Sequence, residues 1–253
     1  MSRLNVLLIR PLLEQDELVT SLELAGIQIY RYPVMKIEPV LAPHAKSKIL
    51  DFDHYQIAIF VSRTAVRLGV DWLENYWPML PVGVRYYAVG KATATELAER
   101  GICAESPQTT FNSEALLALD SLRSVAGQKA LIFAGKGGRT LLAEELQKRG
   151  ATVDRCELYR RCIMKDSAGK IARLLTDKKL DLVAAHSGEL VHNLLAVVPA
   201  ELHGALCRLP VVVPGERVAT IARDLSFDRV LTAPSAAPED MVSTILEWYS
   251  NKI

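Results

Sequence analysis

IQIYRYPVMKI (residues 27–37) and TVDRCELYRRCIM (residues 152–164) decide how this chain is organised. They are extended-looking runs of 11 and 13 residues, whereas a strand in a globular domain commonly has about 5–6. At about 3.3 Å per residue, each would reach roughly 35–40 Å, enough to pass from one domain into another. Pro33 cannot donate to a strand ladder and interrupts the first run, so a strand followed by an ordinary loop is the alternative reading.

Around these stretches, short apolar runs alternate with helical patterns. The runs are NVLLIR (5–10), QIAIFVS (56–62), VRYYAVG (84–90), KALIFAG (129–135), DLVAAHS (181–187), LPVVVPG (209–215) and DRVLTAPS (228–235). Continuous apolar runs of this length, each followed by apolar positions three and four apart, mark buried parallel strands with crossover helices. The fold class is α/β. Prolines mark the expected loops, EPVLAPHAKSK (38–48) and NYWPMLPVG (75–83).

Laid on itself at an offset of 125, the sequence repeats. Ser62 of FVSRTAV falls on Ser187 of AHSGELV, Gly90 of VGKATA on Gly215 of PGERVA, and Glu114 on Glu239. With one residue of slack, Gly26 meets Gly150. Solenoid repeats are far shorter, so two related domains are expected. The two long runs occupy equivalent places in the repeat, which predicts that they lie side by side as a two-stranded hinge.

The 253 residues suffice for two domains with cores of their own. Lys and Arg (30) nearly balance Asp and Glu (29), so no global field recruits nucleic acid or an anionic membrane, and an anionic partner must be held by local groups. Cys103, Cys156, Cys162 and Cys207 contain no C-x-x-C pair and read as reduced thiols of a cytoplasmic protein. The start, MSRLNVLLIRPLLEQDE, has too short an apolar run for a signal-peptide core or a membrane span.

In open α/β sheets, ligands bind beyond the carboxyl ends of the strands. That rule selects Arg10, with Pro11 suited to a first helical turn; Ser62, Arg63 and Thr64; Gly90, Lys91 and Thr93; Gly135 to Arg139; Ser187 and Gly188; and Gly215, Glu216 and Arg217. Each turn sets a small residue beside a hydroxyl or a cation, and free N–H groups at helix starts attract carboxylates and phosphates. Ser and Thr at such places also serve as plain helix caps.

AGKGGRT (134–140) fits neither the P-loop nor the dinucleotide pattern, since its lysine comes early and arginine stands where lysine belongs. What remains is a glycine turn (Gly137, Gly138) that lets backbone approach an anion, with Lys136 and Arg139 as mobile countercharges. There is no G-x-S-x-G elbow, and His186 and His192 are poorly spaced for a metal, so none is expected. Tyr159, in the second long run, is placed either to face a cleft between the domains or to pack on the hinge.

The segments VLLIRP, AGIQIYRYPVMKIEP, VGKATA, ALIFAGKGGRTLLAEELQKRGATVDRCELYRR, AHSGELV and PGERVATIAR resemble uroporphyrinogen-III synthases, in order and nearly end to end. The resemblance implies two flavodoxin-like parallel-sheet domains joined by a two-stranded hinge. Residues 1–34 with 162–253 would form one domain and 38–157 the other, with crossings near 35–37 and 158–161. It implies a cyclising lyase that takes hydroxymethylbilane, expels its terminal hydroxyl as water, inverts the last pyrrole ring and closes uroporphyrinogen III, without a cofactor. Nothing in the sequence suggests an obligate oligomer, so a monomer is expected, with possible transient contact to the preceding pathway enzyme. The family's tyrosine matches Tyr159, with a hydrogen bond to the leaving hydroxyl; a phenol is a weak acid, so positioning would supply more acceleration than proton transfer. Hydroxyls common in the family are replaced by Val61, His186 and Val218, so only Ser62, Thr93 and Ser187 carry over. The competing readings are a non-catalytic two-lobed binder of a carboxylate-rich ligand and, less favoured, a nucleotide-dependent enzyme.

Overall fold

The structure, a computed structural model, describes residues 3–12, 16–40, 43–109 and 112–251. Residues 1–2 and 13–15 of the N-terminal stretch and 41–42 of the first expected loop lie outside the described residues. Along the chain the strands are β1 (Asn5–Leu8), β2 (Gln28–Arg31), β3 (Met35–Pro39), β4 (Ile57–Phe60), β5 (Arg85–Ala88), β6 (Ala104–Glu105), β7 (Lys129–Gly135), β8 (Thr152–Ile163), β9 (Leu182–Ala184), β10 (Val211–Pro214) and β11 (Val230–Ala233). The helices are α1 (Glu17–Leu24), α2 (Pro43–Leu50), α3 (Arg63–Tyr76), α4 (Lys91–Glu99), α5 (Ser113–Leu117), α6 (Leu141–Lys148), α7 (Ala168–Thr176), α8 (Gly188–Val197), α9 (His203–Cys207), α10 (Gly215–Asp224) and α11 (Pro238–Ser250).

The chain divides into two compact units, Met1–Lys36 with Cys162–Ile253, and Ile37–Arg161. The first unit has the strand order β11-β10-β9-β1-β2, all parallel. The second has the order β3-β8-β7-β4-β5-β6, parallel from β8 to β6. Matching β7 and β8 to β1 and β2, and β4 to β6 with β9 to β11, gives both units the order 2-1-3-4-5 of a doubly wound sheet. This topology is the structural form of the sequence repeat.

Side chains alternate between two faces of each sheet, as period-two geometry requires. In the first unit Leu7 and Ile9 pack with α7, α8 and α10, while Val6 and Leu8 pack with α1 and α11. In the second, Phe60 and Phe133 face α2, α3 and α4, while Ile57, Ile59 and Ile132 face α5 and α6. The Phe60 and Phe133 rings stack at 4.4 Å, a pairing worth roughly 0.5–1.5 kcal/mol beyond the area it buries.

Three local expectations are corrected. Residues 27–37 are two strands separated at 32–34, because Pro33 supplies no N–H for a continuous ladder. Within the expected loop 38–48, residues 38–39 end β3 and residues 43–48 belong to α2; Pro43 occupies the first helical position, where a missing donor costs nothing. The first helix does not begin at Pro11: Asp16 caps α1, its Oδ1 accepting the Val19 N–H at 3.2 Å. By contrast, 152–163 is one continuous strand. β3 runs antiparallel to it, the Val40 N–H donating to the Leu158 carbonyl at 2.8 Å and the Met164 N–H to the Val34 carbonyl at 2.9 Å. Residues 77–84 are loop, as the prolines predicted.

Candidate active site

In the second unit the chain leaves β7 toward β8 on one side, and leaves β4 toward β5 on the other. The carboxyl ends of β7 and β4 therefore form the topological switch point, where doubly wound sheets bind ligands. Register fixes what meets there: Phe60 pairs with Phe133, the Val61 N–H donates to the Phe133 carbonyl at 3.3 Å, and the glycine turn follows directly after β7.

Tyr159 reaches this point through an irregularity in β8. Ala134 pairs with Glu157 and Gly135 with Tyr159, so Leu158 is the extra residue of a bulge. Strict alternation would put Tyr159 on the face opposite Leu158. The bulge instead puts Cys156, Leu158 and Tyr159 in one cluster, with Tyr159 only 2 % exposed. Its hydroxyl lies 2.9 Å from Ser62 Oγ. Ser62 also accepts the Ala65 N–H at 3.1 Å as N-cap of α3, so it joins the helix start to the phenol. Gly135 makes room: a Cβ there would lie 2.5 Å from Tyr159 Cε2.

The glycine turn is anchored at its start by the Lys136 N–H, which donates to the Tyr159 carbonyl at 2.7 Å. Gly137 takes φ +73°, a conformation that side chains with a Cβ rarely adopt. Lys136, Gly137 and Arg139 are exposed and Gly138 is half-buried. Thr140 precedes α6 with no side-chain cap, which leaves the helix start uncovered by its own sequence. Beside it, Gly90 caps α4 without a side chain, Lys91 and Arg63 are exposed, Thr64 is half-buried and Thr93 is buried.

The equivalent place in the first unit holds a different arrangement. Arg10, just beyond β1, forms an ion pair with Asp16, and its Nη1 donates to His186 Nε2 at 2.9 Å. A guanidinium can only donate, so Nε2 is the acceptor and the imidazole proton sits on Nδ1. Burial, reinforced by the Arg10 charge and opposed by Asp16, pushes the His186 pKa down to about 4, which keeps the ring neutral at neutral pH. Arg10 Nε, Asp16 Oδ2 and His186 Nδ1 are buried and have no hydrogen-bond partner among the described residues. Ser187 caps α8. Gly188 is buried, and a Cβ there would meet Ile221 Cδ1 of α10 at 2.5 Å, so its smallness serves helix packing. Gly215 begins α10 with φ +68°. Glu216 is ion-paired to Arg223, and Arg217 is exposed.

The Uroporphyrinogen-III synthase HemD family model matches residues 16–243. The chain belongs to the uroporphyrinogen-III synthase family. It is 32% identical over 241 residues to the uroporphyrinogen-III synthase of Escherichia coli K12, covering 92% of this chain and 96% of that one. The Salmonella typhimurium enzyme is 31% identical over 238 residues, with the same coverages. Among solved structures, a mutant uroporphyrinogen III synthase from Thermus thermophilus aligns with TM-score 0.67 at 19% identity, covering 98% of each chain. The Helicobacter pylori enzyme aligns with TM-score 0.62 at 12% identity, covering 98% of this chain and 100% of that one. Those two likenesses speak to the fold.

Within a uroporphyrinogen-III synthase framework, two groups at these positions escaped the sequence reading. Asp16 was signalled by its place one residue before a periodic helical run, a capping position. Gly135 was selected with its turn, and the structure gives it a different part, the space for the Tyr159 ring. Arg155, on β8, carries no sequence signal; its role emerges only from what its guanidinium touches.

Proposed function

We propose that the chain cyclises hydroxymethylbilane to uroporphyrinogen III in tetrapyrrole biosynthesis, with Ser62 and Tyr159 at the reacting carbon and the glycine turn on the substrate's carboxylates. The observation that carries this reading is the 2.9 Å contact between Ser62 Oγ and the Tyr159 hydroxyl at the switch point. Loss of the terminal hydroxyl breaks a C–O bond whose electron pair leaves with oxygen. A hydrogen-bond donor at that oxygen lets it depart as water, leaving an azafulvenium-like cation on the pyrrole-activated carbon. Ser62 is the more exposed member of the pair and Tyr159 the buried one. The hydroxyl is therefore met by Ser62, with the phenol behind it supplying the hydrogen bond that orients Ser62 and replaces its proton.

The cation must then be attacked by the substituted carbon of the last ring. That demands a fixed substrate pose, and positioning is the larger part of the acceleration. The substrate's acetate and propionate groups suit Lys136, Arg139 and Lys91 beside the starts of α6 and α4, which lack side-chain caps, and Arg63 at the start of α3. On this reading the chain acts as a cytoplasmic monomer, needs no cofactor, and receives its unstable substrate from the preceding pathway enzyme by transient contact.

The test is direct. Purified protein is given freshly made hydroxymethylbilane, the products are oxidised, and the porphyrin isomers are separated. Isomer III in excess of the isomer I that forms spontaneously is the expected result. Isomer I alone, with tight binding of the tetrapyrrole, would instead make this chain a non-catalytic binder.

A further inference from the structure

The side chain of Arg155 lies on the face of β8 opposite Tyr159, outside the reacting pair, yet it grips the glycine turn. Its Nη1 donates to the Arg139 carbonyl at 2.9 Å and its Nη2 to the Gly138 carbonyl at 3.4 Å. The guanidinium is itself steadied by Glu157, 3.8 Å from Nη2. Each peptide is planar and trans, so its N–H points opposite to its C=O. Two carbonyls drawn toward Arg155 therefore turn the N–H groups of Arg139 and Thr140 the other way. Among the described residues neither N–H donates to a protein acceptor, while the Lys136 and Gly138 N–H groups are taken up by the Tyr159 and Gly135 carbonyls. The turn contains two adjacent glycines, one with φ +73°, and such backbone has many alternative conformations to lose. A side chain that fixes it is thus a means of presenting two neighbouring donors in one direction.

We infer that Arg155 is a positioning residue: it holds the glycine turn so that the Arg139 and Thr140 amides receive a substrate carboxylate, without touching the substrate itself. The inference rests on the functional reading above and names which donors of that site do the binding. A guanidinium suits the task because its rigid fork serves two carbonyls at once, which a lysine ammonium does less well. A carboxylate held equally in ground and transition states affects KM and leaves kcat alone.

The experiment compares wild type, Arg155→Met, Arg155→Lys and, as a control, Arg173→Gln, which removes an exposed charge of α7 in the other unit. The readouts are steady-state kinetics with hydroxymethylbilane, thermal unfolding, and titration with uroporphyrin III, a carboxylate-rich macrocycle that does not react. Arg155→Met is expected to raise KM and the uroporphyrin Kd about tenfold with kcat within about twofold, Arg155→Lys to fall between, and Arg173→Gln to stay near wild type. A purely structural Arg155 would lower the unfolding temperature and leave KM and Kd within about twofold, which overturns the inference. Binding is read without turnover, so the two readings fail separately. A wild type that makes no isomer III refutes the reaction, whereas equal Kd values in wild type and Arg155→Met refute the role of Arg155 whatever the turnover.

Discussion

Ser62 Oγ and the Tyr159 hydroxyl stand 2.9 Å apart, joining the cap of α3 to a phenol that is 2 % exposed. If they work as one unit, their losses do not multiply. Tyr159→Phe should lower kcat about 100-fold, within the range for a positioned proton donor. Ser62→Ala should lower it by a similar factor, and the double variant should be no more than about twofold slower than the worse single variant. Ser62→Ala also removes a helix cap, worth about 1 kcal/mol, so thermal unfolding must accompany the kinetics. Multiplicative losses in the double variant would show that the two hydroxyls act independently.

Gly135 sits under the Tyr159 ring with no space for a methyl group, the added Cβ lying 2.5 Å from Cε2 and 2.8 Å from Cζ. The ring cannot retreat freely, because it is buried in the cluster containing Phe60, Phe133 and Leu158. Gly135→Ala should therefore cost about 1–3 kcal/mol of stability, the usual penalty for overpacking a closed core, and swing the hydroxyl away from Ser62. The expected kinetic signature is a fall in kcat comparable to Tyr159→Phe in protein that is still folded at the assay temperature. Urea unfolding and turnover, measured on the same sample, check both halves.

Much of the sheet was legible because buried parallel strands are written as unbroken apolar runs; KALIFAG became β7 residue for residue. The repeat was legible for the same reason, since equivalent strands and turns recur at a fixed offset. The helix α2 was hidden by its residues: PHAKSKIL shows little apolar periodicity, and the nearby prolines suggested a loop. The orientation of Tyr159 was illegible in principle. Period-two reasoning assigns it to one face, and the single extra residue at Leu158 moves it to the other. Arg155 reads in sequence as one polar residue on a strand, and its meaning lies in two carbonyls 16 and 17 residues earlier. The pattern thus locates the ends of strands, and packing decides which side chains turn toward them.

Cys103 and Cys156 make a contrast that tests the second unit directly. Cys103 is exposed. Cys156 is fully buried on β8, and burial pushes its thiol up to about 12, only partly offset by Lys48. Thiolate is the reactive form, so alkylation at pH 8 should label Cys103 readily and leave Cys156 untouched until the protein is unfolded in urea. Mass spectrometry of tryptic peptides gives the answer. Labelling of Cys156 in folded protein, at a rate near that of Cys103, would contradict the packing of β8 against α2 and α3.

His186 links acidity to stability in the first unit. Its folded pKa is near 4 and its unfolded value near 6.5, because burial and the Arg10 charge disfavour the imidazolium. Between those values the unfolded chain binds the proton and the folded chain does not, so stability falls as pH drops from about 6.5 to about 4 and this contribution then levels off. The gap corresponds to about 2–3 kcal/mol by pH 4.5. His186→Gln keeps an acceptor for Arg10 and cannot titrate. Urea unfolding at pH 7 and pH 4.5 should therefore show wild type losing about 2–3 kcal/mol more than the variant. The tautomer gives an independent check: with Nε2 accepting from Arg10, nitrogen NMR should find the proton on Nδ1 across that range. Equal acid losses in the two proteins, or a proton on Nε2, would mean that Arg10 and His186 are not joined as the structure has them.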